Sequence, residues 1–298
     1  MKPSSFKYLA PGTIEEALAI MAAHGYEAKA LAGGQSLIPM MNFRLAQPAV
    51  MVDLNNLPEL AYIRPEQGGG LRMGAMTRQS AIEHSAIILE RAPMLHATMP
   101  NIAYSQIRNR GTLGGSIAHA DPSAELPAVS VALDGRFRIR SHRKERWVPA
   151  NAFFVGLFTT VLEPDELLVE VELPPMPRRC GWAFTEVARR HHDFALVGAA
   201  AAVTVDARGA CEQTRLVLFS VGDGPVEAHQ AAKMLAGQPP TLEAIRAAAE
   251  TAARDDVDPG TDINATAEFR RHLVRVLSGR VLTQAFGRAH AQNSSFPA

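Results

Sequence analysis

The chain has 298 residues, enough for two domains at about 100 to 200 residues each. With 47% hydrophobic and 20% charged residues it has the make-up of a globular protein, not a disordered one. Thirty basic side chains balance thirty acidic ones, so no overall field favours nucleic acid or an anionic membrane. Its two cysteines, Cys180 and Cys211, lie in no C-x-x-C pair or Cys/His ligand spacing, which disfavours structural zinc and a protein-held iron–sulfur cluster. The N-terminal MKPSSFKYLAPGT lacks an apolar signal core, and no run approaches the roughly 18 apolar residues of a membrane span. A cytoplasmic chain with reduced thiols is expected.

In PGTIEEALAIMAAHG, Thr13 and Glu16 form a T-x-x-E capping box, Ala17, Leu18 and Met21 recur at helical spacing, and Gly25 is a stop. The spacing predicts a helix over 14–24. EAKALAGG reads as a strand entering a glycine turn, and AVMVDLN at 49–55 as a second buried strand, giving an α/β layer. Short strands are expected at 60–63 and 70–76, helices at 77–84 and 86–97, and a tight turn at the glycines of 68–70. SAELPAVSVALDG at 123–135 begins as a helix with Ser123 as its cap. The segments at 137–140, around Trp147 and at 166–174 alternate at period two, so the middle block is mixed α+β.

PPMPRR at 174–179 suits a crossing between domains, with a boundary at 175. Beyond it, WAFTEVAR, ALVGAAAAVTVD and QTRLVLFSVG read as three strands of a meander. Helices are expected at 226–236, 241–253 and 266–286, backing the small sheet. The division is 1–175, 176–288 and a frayed tail over 289–298.

Two Gly-Gly-polar turns carry the chemical signal. The first is LAGGQS, with Gly33, Gly34, Gln35 and Ser36; the second is RGTLGGS, with Gly111, Thr112, Gly114, Gly115 and Ser116. Glycine lets backbone N–H groups converge on an anion with no Cβ in the way. One such pair can simply make a turn, whereas two in one domain point to a diphosphate clamp. Neither G-x-G-x-x-G after a strand nor G-x-x-x-x-G-K-[ST] is present, which disfavours a Rossmann dehydrogenase or a P-loop nucleotidase.

AGGQSLIPMMNFRLAQPAVMVDLN and IRNRGTLGGSIAHADPSAELP resemble the two flavin-binding signatures of the FAD subunits of molybdenum hydroxylases. That family includes the medium subunit of carbon monoxide dehydrogenase and the FAD domain of xanthine dehydrogenase. EVARRHHDFALVGAAA at 186–201 and TAEFRRHLVRVLSGRVL at 266–282 extend the resemblance over nearly the whole chain. It implies an α+β fold: a flavin-binding domain of the vanillyl-alcohol-oxidase (PCMH) type, built of two α+β subdomains. A C-terminal domain of a three-stranded antiparallel sheet and a helix bundle would follow.

By that resemblance, backbone amides of both loops hold the FAD pyrophosphate. The first loop is Ala30, Leu31, Ala32, Gly33, Gly34, Gln35, Ser36 and Leu37, and the second is Thr112, Leu113, Gly114, Gly115 and Ser116. Ile102 matches a position packed on the flavin. Glu125 matches an ionised acceptor for the ribose hydroxyls, with a helix N-terminal charge as its plain reading and Asp121 as a nearby competitor. Leu168, or its neighbour Leu167, flanks the isoalloxazine, and Phe194 covers one of its faces. Thr185 departs from a lysine and Ser116 from an asparagine of some relatives.

Relatives that insert a 4Fe–4S loop need four cysteines, and two exclude that here. The adjacent His191 and His192 beside Asp193 are poorly placed to share one metal ion, and Arg108 and Arg110 read as solvated turn charges, with anchoring of a phosphate or a partner subunit as the alternative. The family's FAD subunit does not bind the organic substrate. The resemblance implies a large molybdopterin subunit and a small subunit with 2Fe–2S clusters, arranged as a dimer of heterotrimers, or heterohexamer. Electrons would leave through FAD to an external acceptor: NAD⁺, oxygen, a quinone or a carrier. A stand-alone flavin oxidase or reductase is the alternative, with His119 as the nearest residue for a covalent flavin link. A scaffold that has lost FAD is opposed by the two intact glycine turns.

Overall fold

The structure is a computed structural model that describes residues 2–294. Near the N-terminus the helix Ile14–His24 forms as the capping box predicts. Thr13 Oγ1 accepts the Glu16 N–H at 3.2 Å, Glu16 Oε2 accepts the Gly12 N–H at 2.8 Å, and Gly25 ends the helix at φ 49°. Its buried face is Ile14, Ala17, Leu18 and Met21. These side chains share a core with the central strand Val50–Asp53, which pairs in parallel with Lys7–Leu9 on one side and Ala28–Leu31 on the other.

A second sheet is antiparallel, in the order Ile63–Pro65, Leu71–Gly74, Leu167–Leu173, Arg136–Arg140, Glu145–Pro149. Its central strand, Leu167–Leu173, is buried along nearly its whole length because it touches two cores. Leu167 and Val169 join the core of the parallel layer. Leu168, Val171 and Leu173 join a core built from the helices Pro93–Thr98, Leu113–His119 and Glu125–Ala132. A register shift between Leu168 and Glu170 allows this change of face.

The structure corrects several expected elements. Residues 60–63 do not form a strand: Pro58–Leu60 is a 3-10 turn and pairing starts at Ile63. The helix expected over 77–84 shortens to Gln79–Glu83. That over 86–97 divides into Ala86–Arg91 and Pro93–Thr98, because Pro93 has no N–H to continue the first helix and starts the second. Ala124, not Ser123, is the N-cap of Glu125–Ala132; the Ser123 N–H instead donates to Asp121 Oδ1 at 2.8 Å in an Asx turn.

The three expected C-terminal strands, Cys180–Ala188, Ala195–Val205 and Cys211–Phe219, form an antiparallel sheet. A short fourth strand, Val226–Glu227, extends it, which delays the next helix to His229–Leu235. The helix Leu242–Thr251 is capped by Thr241 and runs into a π turn, Ala252–Asp256. One face of the sheet, with Ala199, Ala201, Leu216 and Leu218, packs on these helices and on Ala267–Ser294. The other face presents Ala200, Val217 and Phe219 to the core of the middle block. The last helix continues past the expected end at 286, with Ala289 fully buried, so 289–294 is helix and not a frayed tail. Residues 295–298 of that expected tail lie outside the described residues. Among the described residues no helix is long and apolar enough to cross a membrane.

Candidate FAD-binding site

The two glycine turns, far apart in sequence, pack directly on each other. A Cβ placed on Gly33 would lie against the Arg110 carbonyl and 2.8 Å from Gly111 Cα. One placed on Gly115 would stand 3.3 Å from the Ala32 methyl. Gly34 takes φ +73°, a left-handed conformation in which a side chain is strained. Gln35 does not reach outward as a donor: its Nε2 folds back onto the Gly33 carbonyl at 2.9 Å.

The first turn leaves its backbone donors open. The amides of Gly33, Gly34, Gln35 and Ser36 donate to no described residue, while the carbonyls of Gly34 and Ser36 already accept the Ile38 and Met40 N–H groups at 3.1 Å. Four successive free donors where a strand gives way to a helix suit an anion.

In the second turn the Thr112 amide donates to no described residue, while the other four amides are engaged within the chain. Leu113 N–H donates to Thr77 O at 2.9 Å, Gly114 N–H to Ala75 O at 2.8 Å, Gly115 N–H to Thr112 Oγ1 at 3.0 Å and Ser116 N–H to Thr112 O at 3.2 Å. The physical reason is that Thr112 is the N-cap of Leu113–His119, and capping uses the donors a bare loop would leave free. What this turn contributes is one open amide and close approach. Gly114 lies where a Cβ would be 2.8 Å from Ala75 O, and the Ser116 hydroxyl bonds to no described residue.

Arg108 is not a solvated turn charge. It is only 6% exposed, and its guanidinium makes 2.8 Å bonds to both Glu83 carboxylate oxygens and donates to Ile102 O at 2.9 Å and Ala103 O at 2.6 Å. A charge so matched tolerates burial. It fixes the segment carrying Ile102, where Ala103 sits at φ 41°. Arg110 is exposed, as expected.

Ile102 and Leu168 are both buried in the core of the middle block, Leu168 opposite Ile139 in the sheet. Phe194 is 72% exposed. Its turn nevertheless meets the Ile102 segment, because the rings of His192 and Tyr104 lie 4.8 Å apart. His191 and His192 contact each other edge-on at 3.9 Å. His119 packs against Phe158 at 5.1 Å, and burial lowers its pKa against the opposing charge of Asp121.

Glu125, the expected ribose acceptor, is buried at the start of the helix Glu125–Ala132. Burial pushes its pKa up to about 7, its own backbone amide opposes the rise, and the Asp121 charge adds to it. A second carboxyl, Glu186 on the strand Cys180–Ala188, is pushed up to about 8 by burial and then by the charge of Glu125. Its buried Oε2 has no hydrogen-bond partner among the described residues. The sequence gives no local sign of this pair, because its members belong to different layers. The thiols of Cys180 and Cys211 are both buried, and burial pushes Cys180 up to about 11.

Open amides on one glycine turn, with a second glycine turn packed against it, suit a diphosphate-containing cofactor. Comparison with known proteins makes the class specific. The family described as "FAD binding domain in molybdopterin dehydrogenase" matches residues 4–176, and that described as "CO dehydrogenase flavoprotein C-terminal domain" matches 182–285. The chain belongs to this family, the FAD-binding medium subunits of molybdenum hydroxylases, and is an oxidoreductase subunit.

It is 39% identical to the alpha subunit of the 6-hydroxypseudooxynicotine dehydrogenase complex of Paenarthrobacter nicotinovorans, over 99% of both chains. It is 37% identical to caffeine dehydrogenase subunit beta of Pseudomonas sp. strain CBB1, over 97% of both. Among solved structures, carbon monoxide dehydrogenase from Hydrogenophaga pseudoflava matches with a TM-score of 0.93 at 37% identity, covering 97% of this chain and 99% of that one. Quinoline 2-oxidoreductase from Pseudomonas putida 86 matches with a TM-score of 0.91 at 36% identity, with the same coverage.

Proposed function

We propose that this chain holds FAD between its two glycine turns and serves as the electron-transfer subunit of a multi-subunit molybdenum hydroxylase. Electrons would arrive from 2Fe–2S centres in a small partner subunit and leave to an external acceptor. A large partner subunit would carry molybdopterin, in a dimer of heterotrimers in the cytoplasm. The division of the chain at 175 into a flavin-binding and a C-terminal domain belongs to the same reading.

The observation that carries it is the row of open amides at Gly33, Gly34, Gln35 and Ser36 beside the second glycine turn. The residues present fit the group. Those amides suit a pyrophosphate, the Ser116 hydroxyl adds a donor, and Glu125 can accept from ribose hydroxyls once ionised. Ile102 and Leu168 supply an apolar wall for a flavin ring, and Phe194 stands exposed on a turn beside the Ile102 segment. Bound FAD would supply the redox chemistry, and the chain its binding and orientation.

The relatives' names speak of unlike substrates, among them carbon monoxide, caffeine and quinoline, although the chains are similar throughout. That supports placing substrate choice in another subunit.

Purification of the chain, with visible spectra before and after acid precipitation, tests the reading. Yellow protein that releases FAD into acid is the expected result. A chain that stays colourless after soaking with FAD refutes it. Co-purification with a molybdenum subunit and a 2Fe–2S subunit separates the complex from a stand-alone oxidase.

A further inference from the structure

Beside the two glycine turns runs a chain of four polar side chains from three parts of the sequence. Tyr8 donates its hydroxyl to Asp53 Oδ2 at 2.5 Å. Asp53 Oδ1 accepts from the backbone N–H of Asn55 at 2.9 Å and from its Nδ2 at 2.5 Å. Asn55 Nδ2 also donates to the carbonyl of Ala32, inside the first turn, at 3.0 Å. Asn55 Oδ1 accepts from Arg78 Nη2 at 2.6 Å, and Arg78 Nη1 donates to the Arg110 carbonyl at the entrance to the second turn.

That carbonyl is also the group against which Gly33 packs. One amide therefore grips the first turn, one guanidinium grips the second, and the two are bonded to each other. The backbone adds a further tie: Gln79 N–H donates to Gly111 O at 2.9 Å, and Arg78 bridges Thr112 in antiparallel register.

The electrostatics agree with this geometry. Burial opposes the charge on Asp53, yet the Tyr8 hydroxyl, the Asn55 amides and the Arg110 charge hold its carboxyl below the usual range. Arg78 is lowered by burial and by repulsion from Arg110. Two guanidinium groups, those of Arg78 and Arg110, thus act on the one carboxylate of Asp53.

We propose that Asn55 and Arg78 are positioning residues that set the separation of the two glycine turns, and through it the affinity for FAD. The inference rests on the FAD reading above. Neither residue needs to touch the cofactor. Lysine cannot replace Arg78, because a single ammonium lacks the planar fork that reaches two acceptors at once.

The test uses the full chain with Asn55→Ala, Arg78→Ala, Arg78→Lys and the double alanine variant, with Arg275→Ala on the last helix as a control. FAD dissociation constants come from titration. The ³¹P resonances of bound FAD report the pyrophosphate environment, and melting of the flavin-free chain reports the fold. Each single variant, Arg78→Lys included, is expected to weaken FAD by about tenfold, the scale of one charge-assisted hydrogen bond, with a shifted ³¹P signal. The double variant is expected to lose little more than either single, because both changes break one linkage.

Unchanged affinity and ³¹P signal in the singles would overturn the proposal, as would losses that multiply in the double. If Arg78→Ala does not fold, Asn55→Ala and Arg78→Lys decide between the same two outcomes. A parent chain that binds no FAD refutes the FAD reading itself, a separate outcome visible before any variant is made.

Discussion

Gly33 and Arg110 touch backbone to backbone: a Cβ on Gly33 would press on the Arg110 carbonyl and come within 2.8 Å of Gly111 Cα. Both obstacles are main chain, so neither can swing aside as a flexible side chain would. Gly33→Ala should therefore push the two turns apart and release FAD, with at least a tenfold weaker dissociation constant, on the order of 1.4 kcal/mol. Gly12→Ala is the fitting control, because its new Cβ would stand 3.8 Å from Glu16 Oε2, an ordinary contact. The readout is the flavin-to-protein ratio after gel filtration. Full FAD occupancy in Gly33→Ala would refute the two-turn clamp.

Arg108 and Glu83 give a prediction about stability. Removing the guanidinium would strand a carboxylate and the carbonyls of Ile102 and Ala103. Arg108→Ala should destabilise the chain by about 3 kcal/mol or more, measured by urea unfolding. Glu83→Gln should cost less, because Arg108 keeps its carbonyl partners. Equal, small losses in both variants would show that the pair contributes little.

The buried acids Glu125 and Glu186 make stability depend on pH. In the unfolded chain a glutamate titrates near about 4.3, whereas these two titrate at about 7 and about 8 in the folded chain. Between those limits the folded state holds protons that the unfolded state has released. Their contribution to stability is therefore full below about 4.3 and is lost progressively as pH rises from there through about 7 and about 8, the folded-state values. His119, lowered by burial, contributes with the opposite sign. Thermal midpoints of the flavin-free chain from pH 5 to 8.5 should fall less steeply in Glu125→Gln and Glu186→Gln than in the parent. An unchanged slope in both variants would rule the pair out as the source.

What the sequence makes legible is local. Thr13 with Glu16 announces a helix, and the strands at 28–31 and 50–53 follow from short apolar runs. The glycine pairs also stood out, because backbone that must approach backbone restricts the residue type. The partners that position the site were hidden for the opposite reason. Arg108 meets Glu83, Asn55 meets Arg78 and Glu125 senses Glu186 only after separate layers pack. Nor do the residue types of TLGGS say whether its amides face a ligand or the chain itself. Thr112 as N-cap decides that, by starting a helix there.

The C-terminal domain offers a test that should leave the FAD site intact. Gly181, on the first strand of the sheet, lies directly beneath the last helix, where a Cβ would collide with the Ala285 carbonyl and approach Ala289 N at 2.6 Å. Ala285 and Ala289 are fully buried, so the helix meets the sheet through small residues and bare backbone over this stretch. Gly181→Val should lift the helix from the sheet, opening a core that includes Val281, Leu282 and Phe286. The expected loss is about 1 to 3 kcal/mol, since overpacking against backbone cannot be relieved by a rotamer change. Faster amide exchange along Ala267–Ser294, with FAD affinity unchanged, would show that the two units are energetically separable. A parallel loss of FAD would instead mean that the sheet transmits the strain through Phe219 and Val217, which already belong to the core beside Ile102 and Leu168.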